Sequence, residues 1–135
     1  KHETPLEFIK KNAEHNALDI SVLEGDVLNE GGISGEYGLI LSNPPYIRTK
    51  DCSTLQKEVQ KEPIEALDGG EDGLKFYRAI AKWQKALKKG GMLAVEIGIG
   101  QEKEVADIFS SAGLEDIKTH LDANGIIRVV SGIRK

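Results

Sequence analysis

The sequence predicts an α/β fold, a mostly parallel sheet flanked by helices and ended by a C-terminal antiparallel hairpin. Three observations carry this. Short apolar runs alternate with segments of helical period, the order found when crossover helices join strands. Tyr37–Leu41 is apolar on consecutive residues, as in a strand covered on both faces. Asp122-Ala123-Asn124-Gly125 lies between two further apolar runs and carries the Asn-Gly signal of a hairpin. The 135 residues suffice for one core and not for two.

The first element is a helix over about 4–16. Thr4 caps it, Pro5 suits its first turn, and Glu7 completes a capping box. Leu6, Ile9 and Ala13 then share a face. Ile20–Leu23 reads as a short strand, with Glu24-Gly25-Asp26 at its end. Residues 29–35 are glycine-rich and polar, hence loop. Tyr37–Leu41 is the second strand, with Asn43-Pro44-Pro45-Tyr46 directly beyond it. Residues 47–71 show no clean period apart from a short helix over 53–60, and a connection of that length is usually functional or mobile. A long helix is expected over 72–89, with Leu74, Tyr77, Ile80, Ala81 and Leu87 buried and Lys85, Lys88 and Lys89 near its negative end. Gly90-Gly91 stops it, and Met92–Ile97 is the third strand. Residues 101–112 make a helix with Val105, Ile108 and Phe109 inward and Gly113 at its end. Ile117–Leu121 and Ile126–Val130 form the hairpin.

Composition excludes several classes. No apolar run reaches transmembrane length, and the single Cys52 cannot make an internal disulfide, so a cytoplasmic setting is expected. A net charge of −4 argues against a duplex-DNA enzyme, which grips phosphates with Lys and Arg. His2, His15 and His120 show no metal-ligand spacing.

In open α/β sheets, ligands collect beyond the carboxyl ends of the strands. The tetrad Asn43–Tyr46 sits there. The Asn43 side-chain oxygen and the Pro44 carbonyl are two acceptors, and neither proline offers a competing N–H. Held apart rigidly, they match the two hydrogens of one –NH2 group, and Tyr46 offers a face for a planar group to stack on. An amide or aromatic amine is a poor nucleophile because its lone pair is delocalised. Methylation makes the nitrogen positive and its N–H bonds more acidic, so the same acceptors bind more strongly in the transition state than in the ground state.

Leu39-Ile40-Leu41-Ser42-Asn43-Pro44-Pro45-Tyr46-Ile47 resembles motif IV of the amino-group methyltransferases. Glu58-Val59, Glu62-Pro63, Ala66-Leu67, Gly69-Gly70 and Asp72-Gly73-Leu74 resemble the segment that follows it in the HemK/PrmC family, which methylates the glutamine of the GGQ motif in peptide chain release factors. Glu96-Ile97-Gly98 with Gln101, and Arg128–Gly132, resemble later parts of the same family. The resemblance implies a Rossmann-like S-adenosylmethionine-dependent sheet and N5-methylation of that glutamine, with release factors as partners and no metal. It implies that Asn43 contacts the methionine end of the cofactor and the substrate amide, that Pro44 and Tyr46 complete the substrate site with Pro45 as scaffold, and that Asp26 and Val27 lie beside the adenine. Val27 stands where many relatives carry a larger side chain.

The family's Asp-x-Gly-x-Gly-x-Gly loop is absent, and the chain opens on Lys1. Residues 1–135 are therefore expected to be the C-terminal portion of one catalytic domain, with the first two strands missing. In the family's strand order, 3-2-1-4-5-7-6, this leaves residues 19–23 without a neighbour and bares the edge of the tetrad strand. Self-association of an inactive fragment through that edge is one alternative reading. N6-methylation of adenine in DNA or RNA is the other.

Overall fold

The structure is a computed structural model that describes residues 4–29 and 33–135. Helix α1 spans Pro5–His15, β1 Tyr37–Ser42, α2 Lys75–Ala81, β2 Leu87–Glu96, α3 Glu102–Ser111, β3 Glu115–Leu121 and β4 Ile127–Ile133. The strands form a four-stranded sheet in the order β1-β2-β4-β3. β1 runs parallel to β2, while β4 is antiparallel to both β2 and β3. This is the 4-5-7-6 tail of the expected order, but it is not mostly parallel. Among the described residues only one strand pairing of this sheet is parallel, and the expected strand at Ile20–Leu23 does not form. No strand among the described residues lies beside it, and Leu18, Ile20 and Leu23 are exposed.

Local signals were obeyed at both termini. The Thr4 hydroxyl accepts from the Glu7 amide, and the Glu7 carboxylate accepts from the Thr4 amide at 2.7 Å, the full capping box. The hairpin closes with Asp122 Oδ1 accepting from the amides of Asn124 and Ile126 at 2.8 and 3.0 Å.

The long helix over 72–89 is cut short. Its α-helical part ends at Ala81, a 3₁₀ stretch carries on over Lys82–Ala86, and β2 begins at Leu87. A distant partner captures the intended last turn: Gly90 N–H donates to the Arg134 carbonyl and Arg134 N–H to that of Gly91. The Arg134 guanidinium also bonds the Lys85 and Leu87 carbonyls. The short helix expected over 53–60 is replaced by 3₁₀ turns at Thr49–Thr54, Val59–Lys61 and Ile64–Ala66.

The core lies on one face of the sheet. Ile40, Leu93, Val95 and Val130 pack there against Tyr77 and Ile80 of α2 and Val105 and Phe109 of α3. Burying each large side chain contributes about 1.5–3 kcal/mol. Among the described residues no helix covers the other face, contrary to the expectation from the consecutive apolar residues of β1. Leu39 pairs with Met92 and Leu41 with Ala94, and Leu39, Leu41 and Met92 are 52%, 69% and 37% exposed. Both α2 and α3 serve the first face. α1 makes no extensive contact with the sheet, and of its residues only Ala13 is buried.

Candidate functional site at the carboxyl end of the parallel strands

The register Ser42↔Val95 brings the end of β1 level with the end of β2, so Asn43 and Glu96 stand side by side. They share a cavity of about 300 Å³ on the open face with Leu41, Ala94 and Val129. Asn43 is exposed, and its amide has no hydrogen-bond partner among the described residues. Pro44 is buried, and its carbonyl accepts no backbone bond among the described residues. A second cavity, of about 230 Å³, is walled by Asn43 to Ile47 on one side and by Val59, Glu62 and Ala66 on the other. Asn43 thus lines both concavities, and Pro44 to Tyr46 line the second.

The segment after the tetrad is held by a short parallel bridge between Ile47 and Asp68. Ile47 N–H donates to the Leu67 carbonyl at 3.0 Å, Gly69 N–H to that of Ile47 at 2.7 Å, and Thr49 N–H to that of Gly70 at 3.0 Å. The Thr49 hydroxyl donates to Asp68 Oδ1 at 2.7 Å, and the Gly70 amide donates to the same oxygen at 2.9 Å. The Thr49 bond, followed by that from Gly70, holds the Asp68 carboxyl below its ordinary value. A depressed carboxylate pKa stabilises the fold above the unfolded value near 3.9, and this is lost as pH falls through the folded value. Acidification is therefore expected to release this clamp. In an NMR titration the Gly70 amide shift should show a midpoint below that of an ordinary aspartate. An ordinary midpoint would show that the clamp is not formed.

Tyr46 is half-buried. Burial, and then the nearby Glu96 carboxylate, push its phenol above the usual tyrosine value. Glu96 lines the first cavity beside Asn43. The Tyr46 backbone is crowded by glycines. A Cβ at Gly69 would lie 2.8 Å from Tyr46 Cα, one at Gly73 would lie 2.5 Å from its carbonyl oxygen, and one at Gly98 would lie 3.0 Å from ring atom Cδ2. Gln101 reaches into the same knot: its Nε2 donates to the Tyr46 carbonyl at 3.1 Å and to that of Gly73 at 3.4 Å. From sequence, Gly98-Ile99-Gly100 reads as a strand-to-helix turn and Gln101 as the start of a helix, with no contact to Tyr46 implied. The signal that could have singled them out is Gly98-x-Gly100-Gln101 directly after a buried strand, where backbone from another segment must approach closely.

Asp26 and Val27 are not brought to the tetrad. They line a cavity of about 350 Å³ with Tyr37 and Trp83, at the start of β1. Asn43 stands six residues further along, roughly 20 Å away at about 3.3 Å per strand residue. Asp26 there accepts from the Leu28 amide at 2.8 Å, a local turn. The residues expected at the two ends of S-adenosylmethionine therefore do not form one site in this structure. What the tetrad region presents is a side-chain amide and a neighbouring backbone carbonyl at the carboxyl end of β1.

No protein-family model matches the chain. It is 46% identical over 129 residues to the release factor glutamine methyltransferase of Geobacter sulfurreducens, covering 94% of this chain and 45% of that protein. It is 43% identical over 133 residues to the one of Caulobacter vibrioides, covering 96% and 46%, and 42% identical over 118 residues to the one of Clostridium acetobutylicum, covering 85% and 41%. The chain thus spans less than half the length of these relatives. Among solved structures, a methyltransferase from Pyrococcus furiosus superposes with a TM-score of 0.66 over 96% of this chain and 57% of that one, at 16% identity, which shows a shared fold.

Proposed function

From a chain that belongs by sequence to the family of release factor glutamine methyltransferases, we propose that Asn43–Tyr46 is the amide-gripping part of an S-adenosylmethionine-dependent protein N-methyltransferase. The proposed substrate is the glutamine of the GGQ motif in peptide chain release factors, and the proposed setting is the cytoplasm. Among the described residues no helix is long and apolar enough to cross a membrane.

The observation that carries the reading is the free pair of acceptors. Among the described residues Asn43 Oδ1 and the Pro44 carbonyl have no hydrogen-bond partner; both lie at the carboxyl end of β1 and line one cavity, and Asn43 lines a second. Each would accept one hydrogen of the glutamine side-chain amide, turning the lone pair of its nitrogen toward the incoming methyl. As that nitrogen gains charge, both bonds strengthen, which lowers the barrier rather than merely tightening binding. Tyr46 would cover one face of the planar amide, and Glu96 adds a carboxylate near the nitrogen's developing charge. S-adenosylmethionine supplies the methyl group. Because Asp26 and Val27 lie at the other end of β1, none of the chain's contacts to that donor is assigned beyond Asn43.

The test is a graft. The chain replaces the 129 matched residues of the Geobacter sulfurreducens protein, and the product is incubated with tritiated cofactor and a release factor. Label is expected in the release factor and is expected to vanish when its GGQ glutamine is replaced. A folded graft that labels DNA, or labels nothing while the unmodified Geobacter protein labels the release factor, overturns the proposal.

A further inference from the structure

Resting on that reading of the tetrad, we propose that Gln101 is the positioning residue of the site, a single side-chain amide that fixes the Tyr46 end of the tetrad. Gln101 occupies the N-cap of α3, yet its side chain makes no capping bond to that helix. It turns back instead. Its Nε2 hydrogens go to the carbonyls of Tyr46 and Gly73, and its Oε1 accepts from the Gly98 amide at 2.9 Å and from the Tyr77 hydroxyl at 3.4 Å. Both donors and the acceptor of the amide are thereby engaged by four separate residues. The orientation follows from those partners, since a flipped amide would set oxygen against two carbonyls and NH2 against an N–H.

A residue that only filled space would need volume and nothing more. Gln101 instead has a directional partner on the tetrad loop, on the turn before α2, on the turn after β2, and on α2 itself. Tyr77 is fully buried, and its single hydroxyl hydrogen is shared between the nearer Glu96 carbonyl at 3.0 Å and Gln101 Oε1 at 3.4 Å, so the anchor is set in the core. The fixing propagates because Pro44 and Pro45 have locked φ angles. With the Tyr46 carbonyl held, few torsions remain free between it and Asn43. Gly73 and Gly98 complete the device, since a side chain at either would collide with Gln101 or Tyr46.

Gln101→Glu separates the two halves of the amide. It keeps an acceptor for Gly98 and faces the Tyr46 and Gly73 carbonyls with a carboxylate. The chain is labelled with 3-fluorotyrosine, the Tyr46 signal is assigned through Tyr46→Phe, and ¹⁹F spectra are recorded. At pH 7 the variant's Tyr46 signal is expected to shift and broaden, while that of Tyr37, at the far end of β1, stays in place. Below about pH 4 the protonated carboxyl can donate again, and the signal is expected to return toward the wild-type position. A role in bulk packing alone would show no such recovery. On the unaltered chain, the Gln101 side-chain NH2 protons are expected to exchange at least about tenfold more slowly than those of the exposed Gln56, as two hydrogen bonds imply. A Tyr46 signal that ignores the substitution overturns the proposal. So does Gln101 exchange as fast as Gln56, which decides the matter even if the variant unfolds. Neither reading uses a methyl donor, so the positioning role and the methyl-transfer proposal can fail separately.

Discussion

Asn43→Ala is expected to lower methyl transfer by the graft about 10²–10³-fold, the scale seen when one preorganised group is removed from a developing charge. Its effect on stability should be small, because Asn43 is exposed and its amide is bonded to nothing among the described residues. A substitution of that kind changes stability by about 0.5 kcal/mol or less. The two readouts therefore separate, with activity lost and the melting curve nearly unmoved. The loss should fall mainly on kcat, since the Asn43 bond strengthens as the nitrogen becomes positive. Asn43→Asp keeps an acceptor at the same place and is expected to retain more activity than Asn43→Ala. Equal activity of Asn43→Ala and the unsubstituted graft would remove the acceptor pair from the mechanism.

That Asn43 could be singled out from sequence has a physical reason. The signal is local: a strand, then an acceptor, then two residues without N–H groups. The capping box at Thr4 and the Asp122–Gly125 turn are local in the same sense, and both form as read. What could not be read depends on distant partners. The helix expected to run to Lys89 stops at Ala81 because Gly90 and Gly91 pair with Arg134, and nothing in residues 72–89 announces that competitor. Ile20–Leu23 has a strand's composition but no neighbour among the described residues, and a lone strand leaves its ladder unmade. Consecutive apolar residues in β1 suggested cover on both faces, yet apolar composition cannot say whether a second layer is present. The same limit hid Gln101. Its bond to Tyr46 spans 55 positions, and no period or spacing relates the two.

The largest stability effect outside the apolar core is expected from Gly73→Ala, and it tests the same architecture from its backbone side. Gly73 has φ +75, where an L side chain costs about 1–2 kcal/mol. Its Cβ would also stand 2.5 Å from the Tyr46 carbonyl oxygen and 2.8 Å from Gln101 Nε2. The first of these neighbours is backbone pinned by two prolines and by the bridge at Ile47, so it cannot yield cheaply. Overpacking of this kind adds about 1–3 kcal/mol. Together the terms give a destabilisation of about 2–5 kcal/mol, or a fall in melting temperature of roughly 6–15 °C for a domain of this size. Two further glycines divide that figure. Gly125 has φ +77 with nothing within 4 Å of its Cβ position, so Gly125→Ala reports the backbone part alone. Gly38 has neither a positive φ nor a near neighbour, and Gly38→Ala should leave the melt within about 0.5 kcal/mol. If Gly73→Ala costs no more than Gly125→Ala, the close approach of the tetrad loop to the turn before α2 is absent in solution. The Gln101 bond to both carbonyls then goes with it, because a single amide can reach them only while those two backbones touch.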